Sequence, residues 1–527
     1  MRRRGGHPFH LESLFVFRPG FARTENFGII TDMKTILTFG FAALAASSLF
    51  AELVPAPLFN HGMVLQRDRK VPVWGRADAG ADVTVSFAGT TVTARVGADG
   101  AWRVDLPAMK ADATPREMAI STSKGDKVVY TNAVVGEVWL CGGQSNMTFA
   151  MWPEPRMGQH AGRERNGYYD IMLTNEPDVR GVRIGECWSP EPRPHDRLDW
   201  FAFTPGNGGS FSGAAWHYAI RLYRSLKVPV GVIECAWGGS CIETWIPPEA
   251  YAASKSFKHL ATQPIAPNAK QLEQEKKTGK KTDLHQMPRA CWNAMVYPLA
   301  PYAIKGSIWY QGCTNRGRWM EYYEMLETLR AGWGRKFECP DMPFFFCQIS
   351  PYGYAKEEKD DGGTQIREEM ERFALDYAPR VGMAVLSDVG ETDNIHPGDK
   401  RTVGTRLAAL ALNRLYGFKQ LKCDAPVVDT ATLSQDGKKV VLTFRNVADW
   451  CRNGTYQPRF ELAGDDGVYV LVESTVVPRS NRIELTVPAG LAPRKVAYMR
   501  KSCVHGFIKN EAGLPIGPFR RNLPQKQ

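Results

Sequence analysis

Four short polar clusters in this 527-residue chain hold the residue types that acyl chemistry requires. In "GEVWLCGGQSNM" (136–147), a run that reads as a buried strand gives way to two glycines and then Ser145. A serine hydroxyl is a weak nucleophile until a neighbouring base removes its proton. Placed where a strand ends, its Oγ is exposed and the following N–H groups face an incoming oxyanion. Gly142 and Gly143 permit the tight turn this needs. The competing role for Ser145 is a plain helix N-cap. The pattern is not G-x-S-x-G, because Met147 fills the final position, so the α/β-hydrolase nucleophile elbow is disfavoured.

A base for Ser145 is available in "DNIHPGD" (393–399). Asp393 and His396 are three apart and directly precede Pro397, which favours a turn over a helix. Such a turn can fold the Asp393 carboxylate onto the imidazole Nδ1–H and leave Nε2 facing the serine. The alternative is an aspartate that caps the next helix beside a bystander histidine. Oxyanion donors have two sources. "AWGGSCIETW" offers a backbone N–H at Gly238 or Gly239, and "WYQGCTN" offers the side-chain amides of Gln311 and Asn315, with plain loop chemistry the alternative for either cluster. Five tryptophans lie near these motifs (139, 152, 237, 245 and 309), and most read as core or rim packing. Trp152 is the exception, because it follows the serine on an expected exposed loop and suits sugar stacking.

The elements that must position these clusters follow from the apolar pattern. From 134 to 417, strand-length apolar runs such as "GEVWLC", "VPVGVIECAW", "AIKGSIWYQG", "MPFFFCQI" and "VGMAVLSDV" alternate with amphipathic helical stretches at 214–226, 321–333, 365–377 and 400–416. That alternation predicts a mostly parallel sheet with helices on both faces. Ligands of such sheets bind beyond the carboxyl ends of the strands, where all four polar clusters fall. Residues 53–133 alternate apolar and polar over short strands, which predicts an antiparallel β-sandwich, and 418–527 returns to strands as a second β domain.

Bulk properties narrow the function classes. Residues 33–51, "MKTILTFGFAALAASSLFA", have the layout of a secretory signal peptide, too short for a convincing membrane span. Residues 1–32 read as an over-extended start or a disordered basic extension. The first 51 residues hold five Arg and one Lys against two Glu and one Asp, so without them the formal +11 falls to +8. The one dense basic run, "KKTGKK" at 276–281, reads as a solvated loop. No interleaving of basic and aromatic residues marks a nucleic-acid surface. Eleven cysteines without CxxC spacing exclude a zinc ribbon or a thioredoxin-like site and leave one or two disulfides open.

Taken together, these blocks resemble the sialate O-acetylesterase family within the SGNH (GDSL-like) hydrolases. "GEVWLCGGQSNM", "PVGVIECAWGGSCIETW", "AIKGSIWYQGCTN" and "DNIHPGDK" occur in the family's order, and the likeness runs from about residue 53 to "NEAGLPIGPFR". The resemblance implies a flavodoxin-like three-layer α/β/α catalytic domain with flanking β-sandwich-like domains. It also implies a serine esterase without metal or other cofactor, acting on O-acetylated carbohydrate. By motif, Ser145 is the nucleophile, His396 the base and Asp393 its orienting acid. The Ser145 amide, Gly238, Gly239, Gln311 and, less directly, Asn315 form the oxyanion hole. Cys313 stands where relatives carry glutamate, and "GGQSNM" replaces the more usual "SGQSNM". Arg316 is a candidate for a sialate carboxylate. Acetylated xylan and other glycans remain open as substrates, as does a non-catalytic carbohydrate-binding protein. A secreted or periplasmic location follows from the signal.

Overall fold

The computed structural model describes residues 52–152, 164–354, 362–451, 459–503 and 508–524. The signal-like segment and the stretch before it lie outside these residues. The described chain belongs to one compact unit.

The organising element is a 17-residue strand, β1 (Lys127–Gly143). Its first half pairs antiparallel with Asp112–Thr122, which continues through Asp82–Phe87 to Thr90–Arg95. Its second half is buried throughout and pairs in parallel on both sides. The boundary drawn from the sequence at 133/134 therefore falls inside a strand that serves both sheets. A small second sheet of Val54–Pro55, Val71–Arg76 and Ala101–Leu106 completes the N-terminal β region.

Around β1 lie β2 (Glu176–Arg183), β3 (Phe201–Phe203), β4 (Val230–Ala236), β5 (Gly306–Tyr310), β6 (Phe344–Cys347) and β7 (Val381–Ala384). Their order is β3-β2-β4-β1-β5-β6-β7, parallel except for the edge strand β3. Within it, β4-β1-β5-β6-β7 reproduces the flavodoxin-like 2-1-3-4-5 order, whose switch point flanks the first strand.

Side chains along β1 alternate between two cores, as a strand covered on both faces requires. Trp139 and Cys141 pack with α3 (Gly213–Leu226) and α6 (Lys400–Leu415). Val138 and Leu140 share the other core with α4 (Trp319–Lys336) and α5 (Gly362–Asp376). The helix starts are chemically marked: Ser212 accepts from the Ala215 N–H ahead of α3, and Asp399 accepts from the Thr402 N–H ahead of α6. Two short helices, α1 (Ser145–Thr148) and α2 (Gly167–Leu173), lie between β1 and β2.

The C-terminal region is a sandwich of two four-stranded sheets, with Val440, Leu442 and Phe444 facing Phe460, Val496 and Phe519. The lysine run expected as a loop instead ends a solvated helix over Ala269–Thr278, started by a reciprocal Asn268–Gln271 capping box that the loop reading overlooked. Cysteines 141, 187, 235, 241, 291, 313, 339, 347 and 423 are free thiols. No helix among the described residues is long and apolar enough to cross a membrane.

Candidate active site

Strand register sets three of the polar clusters at one level. Gly143 at the end of β1 is opposite Ala236 of β4 and Tyr310 of β5. The next residues of each strand lead into Ser145, Gly238 and Gln311. The two glycines before Ser145 serve packing as much as turning. A Cβ on Gly142 would lie 2.8 Å from Trp333 and 2.9 Å from Trp309. Gly143 has φ +145°, and a Cβ there would lie 2.3 Å from the Tyr310 carbonyl oxygen. Only glycine admits that conformation and that approach together. The Gln144 side chain then accepts from the Gly312 N–H at 3.1 Å, tying the turn to the end of β5.

Ser145 is the first residue of α1 and does not cap it. Gln144 occupies the N-cap position without a side-chain bond. The Ser145 Oγ is instead 2.8 Å from Nε2 of His396, 251 residues away in the chain. Ser145's own N–H, at the first helical position, has no acceptor within the helix. Gly238 faces the serine, since a Cβ there would lie 3.6 Å from the Ser145 Cβ, and Gly239 holds a left-handed φ of +74°. Together they put a side-chain-free backbone surface beside Ser145. Glu186 stands at this surface; burial pushes its carboxyl up, opposed by Arg183 and the Gly238 N–H.

His396 lies on the loop between β7 and α6, with its ring centroid 6.3 Å from that of Phe149. Burial, together with the positive charge of Lys400, pushes the imidazole down to about 4. The loop is pinned from several directions. The His396 N–H donates to Asn394 Oδ1 at 3.0 Å. Asn394 Nδ2 and the Gly398 N–H donate to opposite oxygens of Glu391, at 2.8 and 3.1 Å. Asn146, next to the serine, donates to the Ile395 carbonyl at 2.9 Å.

The structure does not bring the other expected residues to the serine. Asp393 is exposed on the turn and makes no hydrogen bond to His396, whose Nδ1 has no partner among the described residues. The turn is closed instead by the bond from the His396 N–H to Asn394 Oδ1, two residues earlier. Gln311 is fully buried, and its amide donates to Asn315 Oδ1 (2.7 Å) and the Ser240 carbonyl (3.2 Å). Asn315 in turn accepts from the Ile242 N–H at 3.0 Å and donates to Glu243 at 2.9 Å, and Glu243 pairs with Arg318. These amides brace the Gly238–Gly239 loop from behind. Arg316 lies over the Tyr354 ring at 4.5 Å and donates to the Cys313 carbonyl. Cys313 is buried beside them, and burial raises its thiol. Trp152 is 39% exposed and packs on Tyr168 with ring centroids 4.8 Å apart.

One carboxylate–histidine cluster is close by. Glu164, Asp170 and His217 bring their polar atoms within 4.8 Å of one another. Arg401 bonds both oxygens of Asp170, at 2.7 and 2.6 Å, which makes the cluster an ion-pair network. The residues sequence reasoning missed are Asn146, Glu391 and Lys400, which hold the histidine loop. Two of them lie inside the motifs already singled out, but nothing in their spacing marks a partner 250 residues away.

Comparison with known proteins settles the family. The sequence model of carbohydrate esterases described as sialic acid-specific acetylesterases matches residues 135–413, more than half of the chain. The chain belongs to that family. Human sialate O-acetylesterase is 30% identical over 417 residues, covering 72% of this chain and 74% of the relative. The rat sialate O-acetylesterase is 28% identical over 439 residues, with 74% and 78% covered. A carbohydrate acetylesterase from Xanthomonas citri superposes with a TM-score of 0.76 at 29% identity, covering 89% of this chain and 99% of that structure. The fold is the α/β architecture expected from the sequence, and the chain is a carboxylic ester hydrolase acting on O-acetyl esters.

Proposed function

We propose that this esterase removes acetyl groups from sugar hydroxyls by a serine acyl-enzyme route, with O-acetylated sialic acid the leading substrate. The observation that carries the mechanism is the 2.8 Å contact between Ser145 Oγ and His396 Nε2. Ser145 Oγ attacks the acetyl carbonyl while its proton passes to Nε2. The Ser145 N–H faces the oxygen that becomes negative, beside the side-chain-free backbone at Gly238–Gly239, and such a donor is worth about 3–4 kcal/mol in the transition state. As the tetrahedral intermediate collapses, the sugar oxygen leaves with the proton from His396. Water then gives its proton to Nε2, attacks the acetyl-serine and releases acetate, and the proton returns to Ser145.

Sialic acid is favoured because the human and rat relatives are both sialate O-acetylesterases. The exposed Trp152–Tyr168 pair offers an aromatic face on which a sugar ring can rest. The export signal read at 33–51 puts this chemistry outside the cytoplasm, which cell fractionation with N-terminal sequencing of the mature chain tests. The catalytic test is acetate release from O-acetylated sialoglycan and acetylxylan by the wild type and by Ser145→Ala. The alanine variant loses about 10⁴-fold or more of kcat on either substrate. Full activity in that variant removes Ser145 from the mechanism, and preference for xylan replaces the sialate reading.

A further inference from the structure

A buried lysine that the acyl-transfer steps do not use holds the catalytic histidine from both sides. Lys400 is fully buried at the start of α6. Its Nζ donates to the carbonyl of Pro397, the residue after His396. The same Nζ donates at 2.9 Å to Asn146 Oδ1. Asn146 Nδ2 donates to the carbonyl of Ile395, the residue before His396. One ammonium therefore holds the chain on both sides of the imidazole, directly at the Pro397–Gly398 peptide and through Asn146 at the Ile395–His396 peptide. It does so through the residue adjacent to Ser145, so the nucleophile's helix and the base's loop share an anchor. The aliphatic stem and charge lie against aromatic faces, with Nζ 4.0 Å from the centroid of Phe149 and 6.0 Å from that of Tyr310.

From this arrangement we propose that Lys400 is a positioning residue that holds the His396 imidazole on Ser145. The inference rests on the reading of these two as nucleophile and base. A salt bridge does not account for burying the lysine, because its Nζ partners are an amide oxygen and a carbonyl. Burial pushes the ammonium down to about 7, against the pull of Glu164, Cys347, Glu391 and Asp399. Charge on Lys400 also opposes protonation of His396. The other charged groups nearest the loop are Glu391, with Arg165 on it at 3.4 Å, and the exposed Asp393. Lys400 thus acts on the base in two ways, through the geometry of its backbone and through its charge.

The test compares kcat, KM and the pH profile of kcat/KM for wild type, Lys400→Met and Lys400→Gln on a small acetyl ester, with Ser145→Ala alongside and thermal melts of each. Lys400→Met loses about 10²-fold in kcat, the scale of an ångström of misplacement, with KM changed little. Its acid limb moves up by about one pH unit, toward the ordinary histidine value. Lys400→Gln restores a donor to Pro397 and recovers part of kcat while keeping the moved limb. A folded Lys400→Met with kcat within threefold of wild type overturns the proposal. So does a kcat loss that tracks a fall in Tm with the limb unmoved, which is plain packing. If the methionine variant does not fold, Asn146→Ser decides, since it removes the bond to Ile395 and the Oδ1 acceptor of Lys400 while leaving the Nζ bond to Pro397: a kcat loss supports the proposal and wild-type kcat overturns it. Activity retained in Ser145→Ala overturns the esterase mechanism itself, which the lysine variants alone do not touch.

Discussion

Among the described residues no carboxylate bonds the Nδ1 of His396. His396 is held near a value of about 4 by burial and by Lys400, so it is neutral and ready to accept a proton across the whole neutral range. Its folded value is lowered, so catalytic competence is full above that value and is lost as pH falls through it. The expected kcat/KM is flat from neutral pH to about pH 5 and halves near pH 4, read from a pH–rate profile on an ester that is stable to acid. A limb at the ordinary value of about 6.5 contradicts this environment. The exposure of Asp393 gives a second outcome at this scale. Asp393→Ala lowers kcat less than about tenfold, against the roughly 10⁴-fold that loss of a triad carboxylate brings. The four-residue string that holds Asp393 and His396 was legible as a turn with a histidine. Which side chain steadies that histidine was not, because the bonds that Asn394 Oδ1 and Glu391 accept from the His396 and Gly398 N–H groups carry no sequence period.

At the scale of elements, the site is made by strand register. Parallel pairing puts Gly143, Ala236 and Tyr310 in one row, and three loops leave that row toward one point. Apolar runs and helix patterns announced these strands and helices directly, because a strand covered on both faces must be apolar throughout. Oxyanion support was less visible. Gln311 and Asn315 have the right chemistry for donors, yet burial turns their amides inward to satisfy Ser240, Ile242 and Glu243. The glycine turn has a structural cost when changed. Gly143→Ala forces a Cβ within 2.3 Å of the Tyr310 carbonyl oxygen at φ +145°, and Gly142→Ala presses on Trp333 and Trp309. Each destabilises by about 1–3 kcal/mol in denaturant unfolding, with Gly143→Ala the larger. Activity falls further than stability in Gly143→Ala, since the serine moves with the turn.

At the scale of the molecule, the flanking β regions are bonded into the catalytic layer. The C-terminal residues reach back to it: Ser387 donates to the Ile516 carbonyl at 2.8 Å, Lys509 pairs with Asp388 at 2.7 Å and Arg520 pairs with Glu368 at 2.8 Å. Removing residues 418–527 takes Lys509 from Asp388, which keeps Arg406, strips Arg520 from Glu368 and exposes the β7 side of the sheet. The truncated chain shows no cooperative melt at the wild-type Tm, which calorimetry checks. The expected boundary at 133/134 falls inside a strand shared by two sheets, which changes neighbours without changing its own pattern.

That shared strand has a mechanical meaning. Independent domains are joined by linkers that bend, and a pull on one is absorbed before it reaches the other. Here β1 enters the N-terminal sheet at Lys127 and ends two residues before the nucleophile, with hydrogen-bonded partners along its length. No linker therefore lies between the N-terminal sheet and the turn that carries Ser145.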